Sequence, residues 1–234
     1  MIILGINAYH GDVSAVIVRD GLLVAAVEEE RFRRVKHWAG LPRESVRMCL
    51  QMAGVTPQEV DHVALSRNPK ANLLRKVLFA LRRRPSPALV IDRARNANRV
   101  HDIPVLIAEL LDLSPQRVRE RTHWVEHHPA HLASAFFVSP FEEAAVCAID
   151  GFGDFVSTSF AVGHGNKLKS LERIYFPHSV GLLYLALTQY LGFLKYGDEF
   201  KVMGLAAYGQ PKYVEPLRRL IHPLPEGKFE LDLS

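Results

Sequence analysis

The 234-residue chain is 48% hydrophobic and 23% charged, with 15 glycines and 14 prolines. That is enough apolar material for one large domain or two small ones, and it excludes disorder, collagen-like repetition and low complexity. Its two cysteines, Cys49 and Cys147, exclude a disulfide framework and a Cys-rich zinc site and fit a reducing cytoplasm.

The opening MIILGINAYHGDVSAVIV lacks the basic start of a signal peptide and reads as buried strand without a free edge. Residues 1–7 and 14–20 are apolar strands separated by a Gly11-Asp12 turn, and residues 22–30 form a third after an Asp20-Gly21 hairpin turn. Pro42 starts a helix in which Val46, Cys49, Leu50 and Met52 have helical spacing, and Gly54 stops it. Residues 60–67 read as a strand. The net charge of +4 is concentrated in the next stretch, where residues 70–99 hold nine Lys/Arg against one acid, Asp92; that local +8 leaves −4 elsewhere. It reads as a solvated helical insertion broken at Pro85 and Pro87, without the aromatic interleaving that base stacking requires. A helix-like HDIPVLIAELLDL follows. The second half repeats the opening: AAVCAID as a buried strand, a tight turn at 151–154, STSFAVGHGN as a second strand and KLKSLERIYF as a third. VGLLYLALTQYLGFL, residues 180–194, is too short to cross a bilayer and reads as a buried helix. The duplicated β-β-β-α unit implies an α/β actin-like ATPase or RNase H-like architecture. A first lobe would span 1–143, with the basic insertion at about 70–100, and an incomplete second lobe would span 144–234.

Four histidines, His123, His127, His128 and His131, fall within one nine-residue window. The run after Pro129 is helix-compatible, and His127 and His131, four apart, project from one helical face as two ligands of one divalent ion would. Asp150, ending the next strand, is the candidate third ligand. Two imidazoles and one carboxylate favour Fe(II) or a similar octahedral ion, such as Mn or Mg, over structural zinc. In the Asp150-Gly151-Phe152-Gly153-Asp154 turn, Gly151 and Gly153 would let backbone N–H groups approach a phosphate. His10, beside Gly11 and Asp12, could take a hydroxyl proton. Lys201, in a turn between Gly197 and Gly204, could neutralise a phosphate.

These pieces resemble the carbamoyltransferases of the nodulation-protein-U and antibiotic O-carbamoylation type. The matching segments are GINAYHGDVSAV, EERFRRVKH, HHPAHLASAFFVSPFEEAAV, DGFGDFVST, FPHSVGLLY and GDEFKVMGLAAYG, in family order from residue 5 to 209. The basic stretch has no counterpart, Trp38-Ala39-Gly40 follows KH where an acidic residue is common, and Ala207 stands where proline is usual. The resemblance implies that carbamoyl phosphate and ATP give carbamoyl-adenylate in a separate YrdC-like domain. The actin-like part then passes the carbamoyl group to a hydroxyl of a small-molecule or sugar acceptor, with a bound metal ion. By position, His127, His131 and Asp150 resemble the metal ligands, and His10 the group that deprotonates or orients the acceptor, assisted by Asp12. Gly151, Gly153 and Lys201 resemble nucleotide-contacting positions.

The chain is much shorter than members of that family, so it is expected to need the YrdC-like domain, in cis or in trans, and not to make carbamoyl-adenylate alone. A cytoplasmic setting, no membrane partner and a homodimer complete the expectations. Two other readings compete. One is a transferase making threonylcarbamoyladenosine on tRNA, with the basic stretch on the nucleic acid. The other is a non-catalytic actin-like module binding nucleotide or nucleic acid, against which the retention of His10, His127, His131 and Asp150 together argues.

Overall fold

The structure is a computed structural model that describes residues 1–83 and 102–233. The prolines at 85 and 87 and the basic residues Arg84, Arg93, Arg95 and Arg99 lie outside the described residues. The chain divides into two compact units, Met1–His127 and His128–Ser234.

The first unit opens with an antiparallel meander, β1 (Ile2–Asn7), β2 (Ser14–Arg19) and β3 (Leu22–Glu28). The turn joining β2 to β3 has Asp20 at φ 51° and Gly21 at φ 83°, the two left-handed residues that a type I′ hairpin turn needs. Two short strands, β4 (His62–Leu65) and β5 (Thr122–Trp124), then add in parallel, giving the order β3-β2-β1-β4-β5 with β1 central. After the single turn α1 (Glu30–Arg33), the helix α2 (Arg43–Ala53) ends at Gly54 in the left-handed conformation, as the sequence predicts. It buries Val46, Cys49, Leu50 and Ala53, whereas Met52 is exposed because the buried arc falls one position further on. The helix α3 (Leu73–Arg83) follows β4. Ile103, Ile107, Ala108 and Leu111 of α4 (Ile103–Leu111) and Val118 of α5 (Pro115–Glu120) join the same core as Leu4, Ile6, Ala15 and Ile17 from the sheet.

Glu29, at the end of β3, is fully buried. Its carboxylate accepts from the Ser45 N–H at 2.8 Å, the Ser45 hydroxyl at 2.9 Å and the Glu44 N–H at 3.3 Å, and it pairs with Arg33 Nε at 3.1 Å. A buried charge is tolerated because four donors surround it, two of them N–H groups of the first turn of α2 that have no partner within the helix. Cys49 is equally buried and donates to the Ala15 carbonyl at 3.2 Å; burial pushes its thiol up, away from reactivity.

The second unit repeats the meander with β6 (Glu143–Gly153), β7 (Val156–His164) and β8 (Lys167–Tyr175), followed by α7 (Val180–Tyr190). The fold is thus of the α/β class, with the β-β-β-α pattern duplicated as the sequence implies. Preceding the meander, α6 (His127–Phe136) lays Leu132 and Phe136 against Val146, Ala148 and Ala161. That packing puts the division between His127 and His128, earlier than the 143/144 boundary read from the sequence. The remainder is α8 (Glu199–Ala206), α9 (Val214–Arg218) and the two-stranded β9 (Ile221–Pro223) and β10 (Phe229–Leu231).

Four expectations for this half are corrected. The strand at 144–150 is buried on one face alone: Val146 and Ala148 lie under α6, while Ala145, Cys147 and Ile149 are exposed. The 180–194 stretch is helical to Tyr190 but not buried; Thr188 is the single buried residue of α7, and Tyr190, Leu191 and Leu194 are exposed. The 151–153 segment belongs to β6, and the turn that follows sits on Asp154 (φ 50°) and Phe155 (φ 74°) rather than on glycines. Finally, Lys201 and Gly204 lie within a helix, α8, not in a turn.

Candidate metal centre

The site is built on α6 and the end of β6. His127 is the first residue of α6 and His131 stands one turn later, so helical geometry sets their imidazoles on one face. Pro129 falls in the first helical turn, where its missing N–H costs nothing. Asp150 stands on β6. One ligand atom from each of His127, His131 and Asp150 lies within 4.8 Å of the other two, the one such group among the described residues. His131 Nε2 is 3.7 Å from Asp150 Oδ2, and both side chains keep solvent access, at 50% and 34% exposure. The second oxygen of Asp150 is anchored, accepting from the Gly151 N–H at 2.6 Å.

This donor set fits one divalent ion. Nitrogen and oxygen ligands about 2.0–2.2 Å from a metal sit roughly 3 Å apart when adjacent, so gathering atoms that lie within 4.8 Å of one another, the His131–Asp150 pair at 3.7 Å, asks for at most about 2 Å of side-chain movement. Solvent access leaves room for further ligands.

Asp150 is held from behind by the N-terminus of α7. The Ser179 hydroxyl donates to the Gly151 carbonyl at 2.5 Å and to the Asp150 carbonyl at 3.2 Å, and accepts the Leu182 N–H at 3.0 Å as the helix cap. Gly181 makes this approach feasible: a Cβ there would stand 2.6 Å from the Asp150 carbonyl oxygen and 2.8 Å from the Gly151 nitrogen. Ser179 and Gly181 went unnoticed in the sequence, although FPHSVGLLY carried both. Gly151 itself is less constrained, with ordinary contact to Leu182 at 3.8 Å and no left-handed φ, and Gly153 has no left-handed φ either.

His10 lies in the loop joining β1 to β2, where Tyr9 (φ 54°) and Asp12 (φ 60°) are left-handed. The Asn7 amide holds the loop by donating to the Gly11 carbonyl at 3.2 Å and the Asp12 carbonyl at 3.0 Å. The His10 ring stands 5.4 Å from that of His127, tilted by 44°, with Nδ1 3.4 Å from the Gly11 carbonyl oxygen. The Asp12 carboxylate lies 2.8 Å from Nδ1 of His37, a histidine to which sequence reading gave no role. Asp12 therefore acts on His37 in this geometry. Lys201 Nζ sits 2.6 Å from Asp198 Oδ1 and over the rings of Phe193 and Phe200, both at 5.8 Å. The Lys201 ammonium holds the Asp198 carboxyl below its ordinary range, assisted by the Lys195 N–H.

An α/β protein with a duplicated meander and a two-histidine, one-carboxylate cluster is the class defined so far. Residues 2–231 match the family model described as carbamoyltransferase N-terminus, and the chain belongs to that family. An uncharacterized protein of Synechocystis is 41% identical over 99% of this chain and 39% of its own length. The nodulation protein NolNO of Sinorhizobium fredii is 39% identical over 88% of this chain and 29% of its own length. The chain thus spans well under half of either relative. Among solved structures, YeaZ from Pseudomonas aeruginosa is 16% identical with a TM-score of 0.39, over 75% of this chain and 67% of that one.

Proposed function

We propose that this chain is the metal-holding, acceptor-side part of an O-carbamoyltransferase. The reading is that it passes the carbamoyl group of carbamoyl-adenylate to a hydroxyl of a small-molecule or sugar acceptor. The convergence of His127, His131 and Asp150 in a member of the carbamoyltransferase N-terminus family is the observation that supports it. A divalent ion held by these three would act as a Lewis acid on an electrophile made sluggish by amide-like resonance. Fe(II) suits two imidazoles and a carboxylate with open positions; Mn and Mg are the alternatives.

The chain's own groups do the rest. His10, beside His127, takes the acceptor's proton on Nε2 while its Nδ1–H faces the Gly11 carbonyl. The acceptor oxygen forms a bond to the carbamoyl carbon, and the carbon–oxygen bond to the adenylate phosphate breaks, AMP leaving with the electron pair. Gly151 and Gly153, with Lys201, are assigned to the nucleotide, and the Gly151 N–H must then turn from Asp150 Oδ1 to the phosphate. Lys201 must then exchange or share Asp198 when phosphate arrives. Carbamoyl-adenylate itself comes from carbamoyl phosphate and ATP on a YrdC-like domain, in cis or in trans.

Supplying pre-formed carbamoyl-adenylate and Fe(II) to the chain with a panel of sugar and aminoglycoside hydroxyls tests this. Metal-dependent acceptor carbamoylation that falls about 100-fold or more in His10→Ala is expected. Transfer unchanged in His10→Ala, or equal with and without metal, would overturn the reading.

A further inference from the structure

The helix α3 leaves its apolar side exposed. Leu73, Leu74, Val77, Leu78 and Leu81 are 59%, 73%, 47%, 45% and 69% exposed. At 100° per residue these five fall on one continuous arc. Basic residues border that arc: Arg75 and Arg82, both exposed, follow Leu78 on one side, and Lys76 stands beyond Leu73 on the other. Half-buried Phe79 occupies the arc opposite the stripe. The basic helix expected from the sequence thus has leucines turned outward as well as Arg75 and Arg82; residues 84–101 of that stretch lie outside the described residues.

We propose that α3 is an interfacial helix that docks on an anionic lipid bilayer, lying in its surface. An apolar stripe rimmed by Lys and Arg is the arrangement such a helix uses: the leucines enter the acyl boundary and the long basic side chains reach the phosphates. Charge complementarity selects this occupant. Residues 70–83 hold Lys70, Arg75, Lys76, Arg82 and Arg83 and no acid, +5 in a chain whose net charge is +4, so attraction to an anionic surface is directed at this helix. Among the described residues no helix is long and apolar enough to cross a membrane, and the proposal places α3 in the bilayer surface. At about 1.5 Å per residue, its apolar stripe from Leu73 to Leu81 is roughly 12 Å long, a reversible attachment. The proposal does not depend on the carbamoyl-transfer reading.

Co-sedimentation of the chain with vesicles tests it, using phosphatidylcholine alone and phosphatidylcholine with about one third phosphatidylglycerol. Binding to the anionic vesicles, weak binding to the neutral ones, and loss of binding at high salt are expected. A Leu74→Ser, Leu78→Ser, Leu81→Ser variant should bind about tenfold more weakly or worse. Because all three side chains are exposed, its far-ultraviolet circular dichroism should match the parent. Arg75→Glu with Arg82→Glu should abolish the preference for anionic lipid while leaving the leucines in place. No binding to the anionic vesicles would overturn the proposal, as would a serine variant that binds like the parent. Self-association abolished by the serine substitutions, without vesicle binding, would overturn it in favour of a second copy of the chain.

Discussion

Glu29 and Asp198 are buried carboxylates, each held by neighbouring donors. Glu29 joins β3 to the start of α2 through four donors, and removing it leaves the two Ser45 donors buried without that acceptor. Glu29→Ala should destabilise the chain by about 3 kcal/mol or more, and Glu29→Gln, which keeps part of the acceptor capacity, by about 1–2 kcal/mol; urea unfolding measures both. Asp198 acts through pH. Its carboxyl is held below the ordinary value of 3.8 by Lys201, so its contribution is complete above that value and is lost as pH falls through the lower, folded-state value. Asp198→Asn should flatten the stability–pH curve below about pH 4 and leave its slope near neutrality unchanged. A curve as steep as the parent's in acid would remove Asp198 from this role. Neither partnership was readable from spacing: Glu29 lies in a charged EEE run that looks like a solvated face. Lys201 and Asp198 pair because α8 begins where glycines had implied a turn.

At the scale of elements, α6 and β7 meet closely where Phe136 lies over Gly163. A Cβ on Gly163 would fall 2.5 Å from the ring of Phe136, a residue buried to 3% exposure. Gly163→Ala should cost about 1–3 kcal/mol through overpacking, and Phe136→Ala about 3–5 kcal/mol through a cavity. In the double variant the added methyl meets no ring, so the two costs should fall short of adding by about 1 kcal/mol or more. Strict additivity would mean that the two residues do not meet. The elements themselves were largely legible. Both meanders, the Asp20-Gly21 turn and the Pro42-to-Gly54 helix carry strong local signals, and the structure follows them. What failed was burial. AAVCAID and VGLLYLALTQYLGFL are apolar enough to be core on every side, yet composition cannot say which faces the chain itself covers. The turn after β6 was misplaced because Asp154 and Phe155, not the neighbouring glycines, take the left-handed conformation. The short β5 carried too few residues for an alternation to show.

For the whole molecule, family membership and the gathering of His127, His131 and Asp150 bear on one another. The chain belongs to the carbamoyltransferase N-terminus family, and the three residues singled out by helical spacing and strand position do meet. Their meeting depends on α7 as well, since Ser179 and Gly181 hold the backbone that carries Asp150. Gly181→Ala should push that helix off β6 and weaken metal binding about tenfold or more, an effect of the size seen when a ligand's supporting contacts are lost. The most direct measurement is anaerobic Fe(II) binding to the purified chain, followed by calorimetry and X-ray absorption. One ion per chain is expected, with imidazole nitrogen and carboxylate oxygen at about 2.0–2.2 Å, and with loss of binding in His127→Ala, His131→Ala and Asp150→Asn. An absence of stoichiometric binding, or binding that survives all three substitutions, would contradict the metal centre on which the proposed chemistry rests.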